Sequence, residues 1–307
     1  MGMTCGYGPA RDRDTMIYLI HRAVDLGVNF FDTAECYGPF ANEELLGEAL
    51  QPIRHNVFVA TKFGLKSIGG RLVPDSRPES IRQSVEDSLR RLRTDHVDLL
   101  FQHRVDPRVP IEEVAETVGQ LVQEGKVCHW GLSEASLNTI RRAHHILPLT
   151  AVENEYSPLW RDAERGLLAL LDELGIGLVA SSPIGKGLLS GQLSADMLFG
   201  KEDFRSTQPR FQPKHLAANY ALERHIGQIA ARKGITPAQA SLAWLLTRRP
   251  WIVPIPGVRD ISHLRENIEA TVVKFSPGEL AELDEAIHSV TPQGDRYAPE
   301  HQALINR

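Results

Sequence analysis

Short apolar runs alternate with amphipathic stretches along most of the 307-residue chain. The apolar runs are continuous rather than alternating in hydrophobicity, which is typical of strands buried on both faces of a parallel sheet. They predict strands at residues 28–32, 57–62, 97–103, 128–133, 150–155, 177–183 and 251–257. Between them apolar residues recur at helical spacing, which predicts helices, most clearly at 13–27, 77–92, 111–125 and 161–175.

This repetition of strand and helix continues without a compositional break or linker. We therefore predict a single α/β domain over residues 1–307 with the (β/α)8 TIM-barrel fold. A doubly wound open sheet is the second possibility. The longest gap between predicted strands begins with a stretch rich in Gly, Ser, Pro and Phe, which predicts a long loop at about 184–213. Long loops in compact domains often carry function.

The N-terminal end of the predicted barrel is incomplete. A (β/α)8 barrel needs eight strands, whereas the pattern provides seven, and only MGMTCGYGPA precedes the helix at 13–27. This segment is too short and glycine-rich for a buried strand, so we expect the first strand to be missing and the natural reading frame to begin upstream of Met1. The strands at 28–32 and 251–257 should then be unbridged, or bridged by a foreign segment, and residues 1–8 should not pair between them.

Composition and charge exclude several classes of function. The net charge of −5 and pI near 6.2 provide no basic surface for nucleic acid or anionic lipid. Three cysteines without CxxC spacing argue against a disulfide framework and a zinc site, so we expect no metal. No apolar run reaches the length of a membrane span, and the N-terminus lacks a signal-peptide core, so we expect a cytoplasmic protein.

Polar residues lie at or near the ends of six predicted strands. They are Asp32, Lys62, His103, Ser133, Glu153 and Ser182. Taken singly, such residues serve as turn residues, solvated lysines or core histidines. In a barrel, however, the C-terminal strand ends meet at one mouth, where active sites of this fold are built.

The run VNFFDTAECYG at 28–38 adds Tyr37 five residues after Asp32. The ordinary pKa of tyrosine, roughly 10, is too high for an efficient acid at neutral pH. A neighbouring Lys62 ammonium would lower it, and Asp32 would hold that ammonium in place. His103 could donate a hydrogen bond to a substrate oxygen. These four residue types together indicate a proton-transfer site.

Six motifs in order resemble the aldo-keto reductase family. They are FDTAECYG, VATKFG, LLFQHRVDP, GKVCHWGLSEAS, SSPIGKGLLSG and IPGVRDISHLRENI. The resemblance extends to about residue 290 and is strongest to a bacterial and plant branch of aldehyde reductases that includes pyridoxal-reductase-like members. It implies that Tyr37 is the general acid, that Lys62 and Asp32 tune it, and that His103 orients the carbonyl.

The resemblance also implies extended NADPH bound across the barrel mouth, and no Rossmann-type GxGxxG is present. The nicotinamide carboxamide is assigned to Ser133 and Glu153, the pyrophosphate to the loop at 182–187 and the adenosine end to the segment at 257–267. The implied cofactor-binding residues are Met3, Ser133, Glu153, Ser182, Ile184, Lys186, Gly187, Gly257, Arg259, His263, Glu266 and Asn267.

The chain departs from the family pattern at the cofactor positions. Glu153 stands where glutamine is usual, and Ser181 where an aromatic residue is common. Asp260 and His263 occupy positions where many members carry a second cation. These departures concern the nicotinamide clamp and the preference for NADPH, and they leave the proton-transfer residues unchanged.

Some neighbouring residues receive weaker interpretations. We consider Trp160, Phe204 and Phe211 as substrate-pocket residues or, equally, as loop residues packed on the barrel rim. We interpret Arg104 as structural and assign Cys36 no catalytic role.

The leading functional hypothesis is an NADPH-dependent reductase of small-molecule carbonyl compounds, with no nucleic-acid or membrane partner. Two alternatives stay open: a catalytically weak, cofactor-bearing regulatory subunit, and a Schiff-base aldolase with Lys62 as nucleophile. No feature of the sequence favours a particular substrate or oligomeric state.

Overall fold

The computed structural model describes residues 2–306 and is built around a curled parallel sheet of seven strands. A separate antiparallel hairpin, β3 with β4, lies outside this sheet. The strands are β1 (Phe30–Asp32), β2 (Phe58–Phe63), β3 (Leu65–Ile68), β4 (Arg71–Pro74), β5 (Val97–Gln102), β6 (Val127–Ser133), β7 (Ala151–Glu155), β8 (Gly177–Ser181) and β9 (Ile252–Pro254). The order in the main sheet is β1-β2-β5-β6-β7-β8-β9, so neighbours in the sheet are neighbours in the chain once the hairpin is set aside.

Helices connect the strands of the main sheet and cover its outer face. They are α1 (Arg13–Asp25), α2 (Ala41–Leu50), α3 (Pro78–Leu92), α4 (Ile111–Gln123), α5 (Leu137–Ile146), α6 (Leu167–Leu174), α7 (Pro213–Lys233), α8 (Pro237–Arg248), α9 (Ile261–Glu269), α10 (Pro277–Ser289) and α11 (Pro299–Gln302). Among the described residues, no helix has the length and apolar character needed to cross a membrane.

The predicted alternation of parallel strands and helices is confirmed, with shifted boundaries. The helix predicted at 161–175 begins only at Leu167, because Gly166 has a φ of +116° that interrupts helical geometry. The β3–β4 hairpin was missed. Its signal was the pair Gly69-Gly70 between two short strands, since both glycines adopt the positive φ that a tight hairpin turn requires.

The sheet does not close on itself. β1 and β9 are its two end strands, and within residues 2–306 no strand lies between them. Residues 2–8 form turns and bends, and their one bridge joins Tyr7 to Asp203 in the loop after β8. The prediction of an unbridged gap between the first and last strands is therefore confirmed.

The interior of the curled sheet explains how the polar strand ends converge. Ala60, Leu99, Phe101, Ala151 and Val179 pack together inside it. Side chains alternate faces along a strand, so the residue two positions further on also points inward.

That next inward position is Lys62 on β2, His103 after β5 and Glu153 on β7. A contact between Lys62 and Glu153 passes through the interior, because β5 and β6 separate their strands in the sheet. The sheet geometry thus gathers these three side chains at its C-terminal end.

Close helix packing at Gly47 provides a first test of the fold. A Cβ atom on Gly47 of α2 would lie 2.7 Å from Leu92 Cα and still closer to the carbonyl oxygen of Arg91. Backbone atoms cannot move aside as a side chain can, so we expect Gly47→Ala to lower the free energy of unfolding by about 3 kcal/mol.

Gly119 of α4 is the matched control, because its added methyl group would meet only Leu147 at 3.8 Å. Gly119→Ala should leave stability unchanged or raise it by about 0.5–1 kcal/mol through helix propensity. Urea unfolding of the two variants tests this. Equal effects would show that α2 and α3 do not pack at this distance.

Candidate active site

A cavity of about 1100 Å³ opens at the C-terminal ends of the strands. Its wall combines the turn after β1, the segments that follow β5, β8 and β9, the N-terminal residues, and part of the C-terminal segment. The same cavity continues between α1, β1, α8 and β9 into the gap between the two end strands of the sheet. Most residues proposed from the sequence line it: Met3, Asp32, Tyr37, His103, Glu153, Ser182, Ile184, Lys186, Gly187, Gly257, Arg259, His263, Glu266 and Asn267. Lys62 and Ser133 lie behind the wall, at 1% and 3% exposure.

The ammonium of Lys62 is held by three oxygens. Nζ donates to Asp32 Oδ1 at 2.5 Å and to the carbonyl oxygen of Thr33 at 2.9 Å, and it lies 3.3 Å from Glu153 Oε2. Burial alone would lower the pKa of Lys62, but the neighbouring carboxylates outweigh it and raise the pKa above its usual value. Lys62 is therefore a permanent ammonium at neutral pH.

Tyr37 is positioned by the turn that follows β1. Its backbone N–H donates to the carbonyl oxygen of Ala34 at 3.1 Å. Lys62 Nζ lies 5.2 Å from the centre of its ring, and the ring stands edge-on to His103 at 5.9 Å. The Tyr37 hydroxyl has no hydrogen-bond partner within residues 2–306, so it can bond a ligand in the cavity.

The titration of Tyr37 differs from the sequence-based expectation. Burial raises the pKa of its phenol, and the Lys62 ammonium opposes that shift without reversing it. The phenol therefore stays protonated at neutral pH, as a proton donor must, and the expected net lowering of its pKa is wrong. Lys62 remains the group that would stabilise a phenolate once it forms.

His103 enters the site as a neutral imidazole. Burial, followed by the nearby positive charges of Arg104 and Lys62, lowers the pKa of His103 well below its usual value. Its Nδ1 lies 3.5 Å from Cys36 Sγ, while burial raises the pKa of that thiol to about 12. A neutral imidazole beside a protonated thiol can donate a hydrogen bond without losing a proton to the substrate.

Glu153 lies close enough to Lys62 for an ion pair, yet its titration indicates a neutral acid. Burial, together with the charge of Asp32, raises the pKa of Glu153 to about 8. Two carboxyl groups share one ammonium here, and Asp32 makes the shorter contact. Asp32 is therefore the ion-pair partner of Lys62, and the raised pKa of Glu153 favours its protonated form at neutral pH. A protonated carboxyl group has a donor and an acceptor, like the glutamine that is usual at this position.

The loop after β8 adopts several left-handed conformations, at Ser182, Gly185, Lys186 and Gly187. This geometry turns the Lys186 side chain into the wall, where Nζ lies 3.2 Å from Gln208 Oε1 and 3.8 Å from Glu155 Oε2. Burial lowers the pKa of Lys186 to about 8. The side chain therefore faces a buried cluster of charges rather than open space.

The segment after β9 carries Arg259 towards the N-terminal residues. Its two terminal nitrogens donate to the carbonyl oxygens of Tyr7 and Pro9, and its Nε is buried without a partner. Asp260 accepts from the backbone N–H of Ser262 at 2.7 Å and so caps α9. Arg259 thus has one nitrogen left to offer a ligand.

Two of the three aromatic residues proposed for the substrate pocket lie elsewhere. Phe204 lines the cavity. Trp160 packs under the guanidinium groups of Arg210 and Arg296, and Phe211 is buried against Phe199. The interpretation of Trp160 and Phe211 as rim packing is the correct one.

The sequence did not indicate the contribution of the C-terminal segment. Tyr297, Ala298, His301 and Leu304 line the cavity, and Arg296 anchors the segment by donating to both oxygens of Glu134 at 2.6 Å. The stretch RYAPEHQ at 296–302 carries no motif that marks it as part of a site.

The fold and this site define an α/β barrel-type protein with an acid–base constellation at the C-terminal end of its sheet. The aldo/keto reductase family model matches residues 2–288, and the chain belongs to that family. Probable aldo-keto reductase 1 from Glycine max is 42% identical over 302 residues, covering 97% of this chain and 86% of that protein.

Solved structures agree with this assignment. The glycerol dehydrogenase AKR11B4 from Gluconobacter oxydans has a TM-score of 0.85 and 29% identity, covering 94% of this chain and 90% of that one. An aldo/keto reductase from Klebsiella pneumoniae, solved in complex with NADP and acetate, has a TM-score of 0.71 and 25% identity. It covers 93% of this chain and 89% of that one.

The protonation of Glu153 predicts how stability changes with pH. Between its ordinary pKa of 4.5 and about 8, the unfolded chain has lost this proton and the folded chain retains it. Folding therefore binds a proton in this window, and the contribution of Glu153 to stability falls as the pH rises. Glu153→Gln removes this pH-dependent contribution. The free energy of unfolding of the variant should therefore rise relative to that of the parent from pH 5 to pH 8, and the difference should stay constant above pH 8.

Urea unfolding from pH 5 to pH 9 measures this difference. Glu44→Gln, at an exposed position of α2, is the control and should give a curve parallel to that of the parent. A parallel curve for Glu153→Gln as well would mean that Glu153 is ionised in the folded protein.

Proposed function

We propose that this protein reduces aldehydes or ketones to alcohols with NADPH. The observation that carries the proposal is the placement of a protonated Tyr37 beside the Lys62–Asp32 ion pair, with the Tyr37 hydroxyl free in a large cavity. Family membership supports an oxidoreductase acting on carbonyl compounds.

Each of the four residues has a defined task in this proposal. The neutral His103 donates a hydrogen bond to the carbonyl oxygen and orients it. Tyr37 gives its phenolic proton to the same oxygen as negative charge develops there. The Lys62 ammonium, 5.2 Å from the ring centre, stabilises the resulting phenolate, and Asp32 keeps that ammonium in position.

The residues of the cavity fit an extended dinucleotide. The position of a Cβ on Gly257 has no atom within 4 Å, so the wall is open there, and Arg259 Nε is a buried donor without a partner. The residues that would hold the cofactor run from Ser133 and Glu153 through the loop at 182–187 to the segment at 257–267. When bound, NADPH supplies a hydride to the carbonyl carbon. The Klebsiella protein solved with NADP supports the choice of cofactor.

The aldolase alternative requires Lys62 as a neutral amine. Its ammonium is bonded to Asp32 and Thr33 and its pKa is raised, so a nucleophilic form is strongly disfavoured. The environment of Lys62 therefore supports a role in tuning Tyr37 and argues against Schiff-base chemistry.

Removing the phenolic hydroxyl tests the proton donor. We expect Tyr37→Phe to lower kcat for aldehyde reduction by about 10²–10⁴-fold, because the ring stays and the proton is lost. The Kd for NADPH, measured by quenching of tryptophan fluorescence, should change little. Retention of most of the parent's kcat would rule out Tyr37 as the donor.

The environment of Arg259 predicts a modest cofactor preference. One free nitrogen can bond the 2′-phosphate of NADPH, while the adjacent Asp260 carboxylate repels it. NADPH should therefore bind more tightly than NADH, and Arg259→Met should reduce that difference. Dissociation constants for both cofactors test this, and equal values for the parent protein would show that Arg259 does not bind the phosphate.

A further inference from the structure

Arg104 is a cation of the cavity wall without a carboxylate partner. It directly follows His103 and is half-buried at the reaction end of the cavity. Its Nη1 donates to the carbonyl oxygen of His103 at 2.6 Å and to Ser133 Oγ at 3.2 Å. No carboxylate within residues 2–306 lies within 4.0 Å of it, and its Nη2 and Nε have no hydrogen-bond partner there.

Two other cations of this wall have a carboxylate partner of their own. Lys62 pairs with Asp32, and Arg205 pairs with Asp203 at 2.6 Å. Lys186 instead shares Glu155 with Arg210, and Arg259, after β9, donates to backbone carbonyl oxygens. Arg104 is the wall cation that lies beside the proton-transfer residues without a carboxylate contact in residues 2–306, and its two hydrogen bonds hold the guanidinium in a defined place.

The groups around Arg104 leave its positive charge uncompensated. His103 is a neutral imidazole, burial raises the pKa of Glu153, and Lys62 is already paired with Asp32. At the reaction end of the cavity the Arg104 guanidinium therefore has no carboxylate contact from residues 2–306. In a largely apolar cavity this charge acts through a lower effective dielectric constant than in water and attracts an anion strongly.

The position of Arg104 in the sheet separates it from the residues assigned to the cofactor phosphates. Those residues follow β8 and β9, whereas Arg104 follows β5, and β6 and β7 lie between. β5 instead neighbours β2, which carries Lys62. Arg104 therefore lies beside the proton-transfer residues.

We propose that Arg104 binds a carboxylate of the substrate, so that the preferred substrates are small aldehydes or ketones carrying a carboxylate a few bonds from the carbonyl group. The proposal rests on the proposed carbonyl reduction. With the carbonyl oxygen at Tyr37 and His103, the neighbouring guanidinium receives the acid group through Nη2 and Nε. Arginine suits this task because its planar nitrogens match a carboxylate and stay charged.

Matched substrates test the proposal on the NADPH-loaded enzyme. The pairs are succinic semialdehyde with 4-oxobutanamide, and 4-carboxybenzaldehyde with 4-formylbenzamide, which differ only in charge at the acid position. The parent enzyme should favour the acid of at least one pair by about 10–100-fold in kcat/KM, the range expected for a charge-assisted hydrogen bond.

Two substitutions separate the charge of Arg104 from its hydrogen bonds. Arg104→Gln keeps a donor for Ser133 and should remove the preference for the acid, lowering kcat/KM for the acid by about 10–100-fold more than kcat/KM for the amide. Arg104→Lys should retain part of the preference. Arg141→Gln, at an exposed position paired with Glu173, makes the same change in net charge and should behave like the parent.

Several outcomes would overturn the proposal. The absence of any preference for acids in the parent would show that no carboxylate site is present. Equal slowing of acid and amide by Arg104→Gln would make Arg104 structural. A weakened Kd for NADPH in Arg104→Gln, with no change in acid preference, would make it a cofactor ligand.

Binding of 4-(hydroxymethyl)benzoate and its amide to the NADP-loaded protein distinguishes this proposal from the reaction itself. Calorimetry should show tighter binding of the acid, and Arg104→Gln should abolish the difference. If Arg104 is needed for the tighter binding of the acid but none of the aldehydes is reduced, the anion site is supported and the proposed reaction is wrong. Equal binding of acid and amide by the parent overturns the anion site.

Discussion

The buried ion pair between Lys62 and Asp32 is the interaction on which the site depends. Both side chains are at most 8% exposed, and desolvation of two charges is offset here by a 2.5 Å contact and a further bond to the Thr33 carbonyl oxygen. Removing either partner would leave the other as an uncompensated buried charge, which costs about 3–5 kcal/mol. The turn that presents Tyr37 begins at Asp32, so the same pair fixes both the place and the electrostatic environment of the phenol.

A second set of buried charges holds the rim of the cavity. Arg296 of the C-terminal segment binds Glu134 after β6, and Arg210 of the long loop binds Glu155 on β7 at 2.5 Å. The rim therefore depends on contacts between residues up to 162 positions apart in the chain. These ion pairs give the substrate end of the cavity a defined wall although much of that wall lies outside helices and strands.

The sequence predicted the sheet, and the grouping of the candidate proton-transfer residues at one end of it, because both depend on local patterns. Continuous apolar runs mark buried parallel strands, and the barrel geometry then places Lys62, His103 and Glu153 on one inward face. Charge states and long-range pairs were not predictable in this way. Asp32 rather than Glu153 is the main ion-pair partner of Lys62 because its oxygen lies closer to Nζ. The hydrogen bonds from Arg259 to Tyr7 and Pro9 join segments about 250 residues apart.

The two cations near the reacting centre have different tasks because they differ in pairing. Asp32 and Thr33 accept hydrogen bonds from the Lys62 ammonium, so its charge acts on the adjacent phenol rather than on a ligand. Arg104 has no carboxylate partner within residues 2–306. Its positive charge acts on the cavity while Glu153 is neutral, because an ionised Glu153 would oppose it. The raised pKa of Glu153 therefore supports both proposed roles: a neutral Glu153 leaves Asp32 as the ion-pair partner of Lys62, and it does not oppose the Arg104 charge that we propose to bind an anionic ligand.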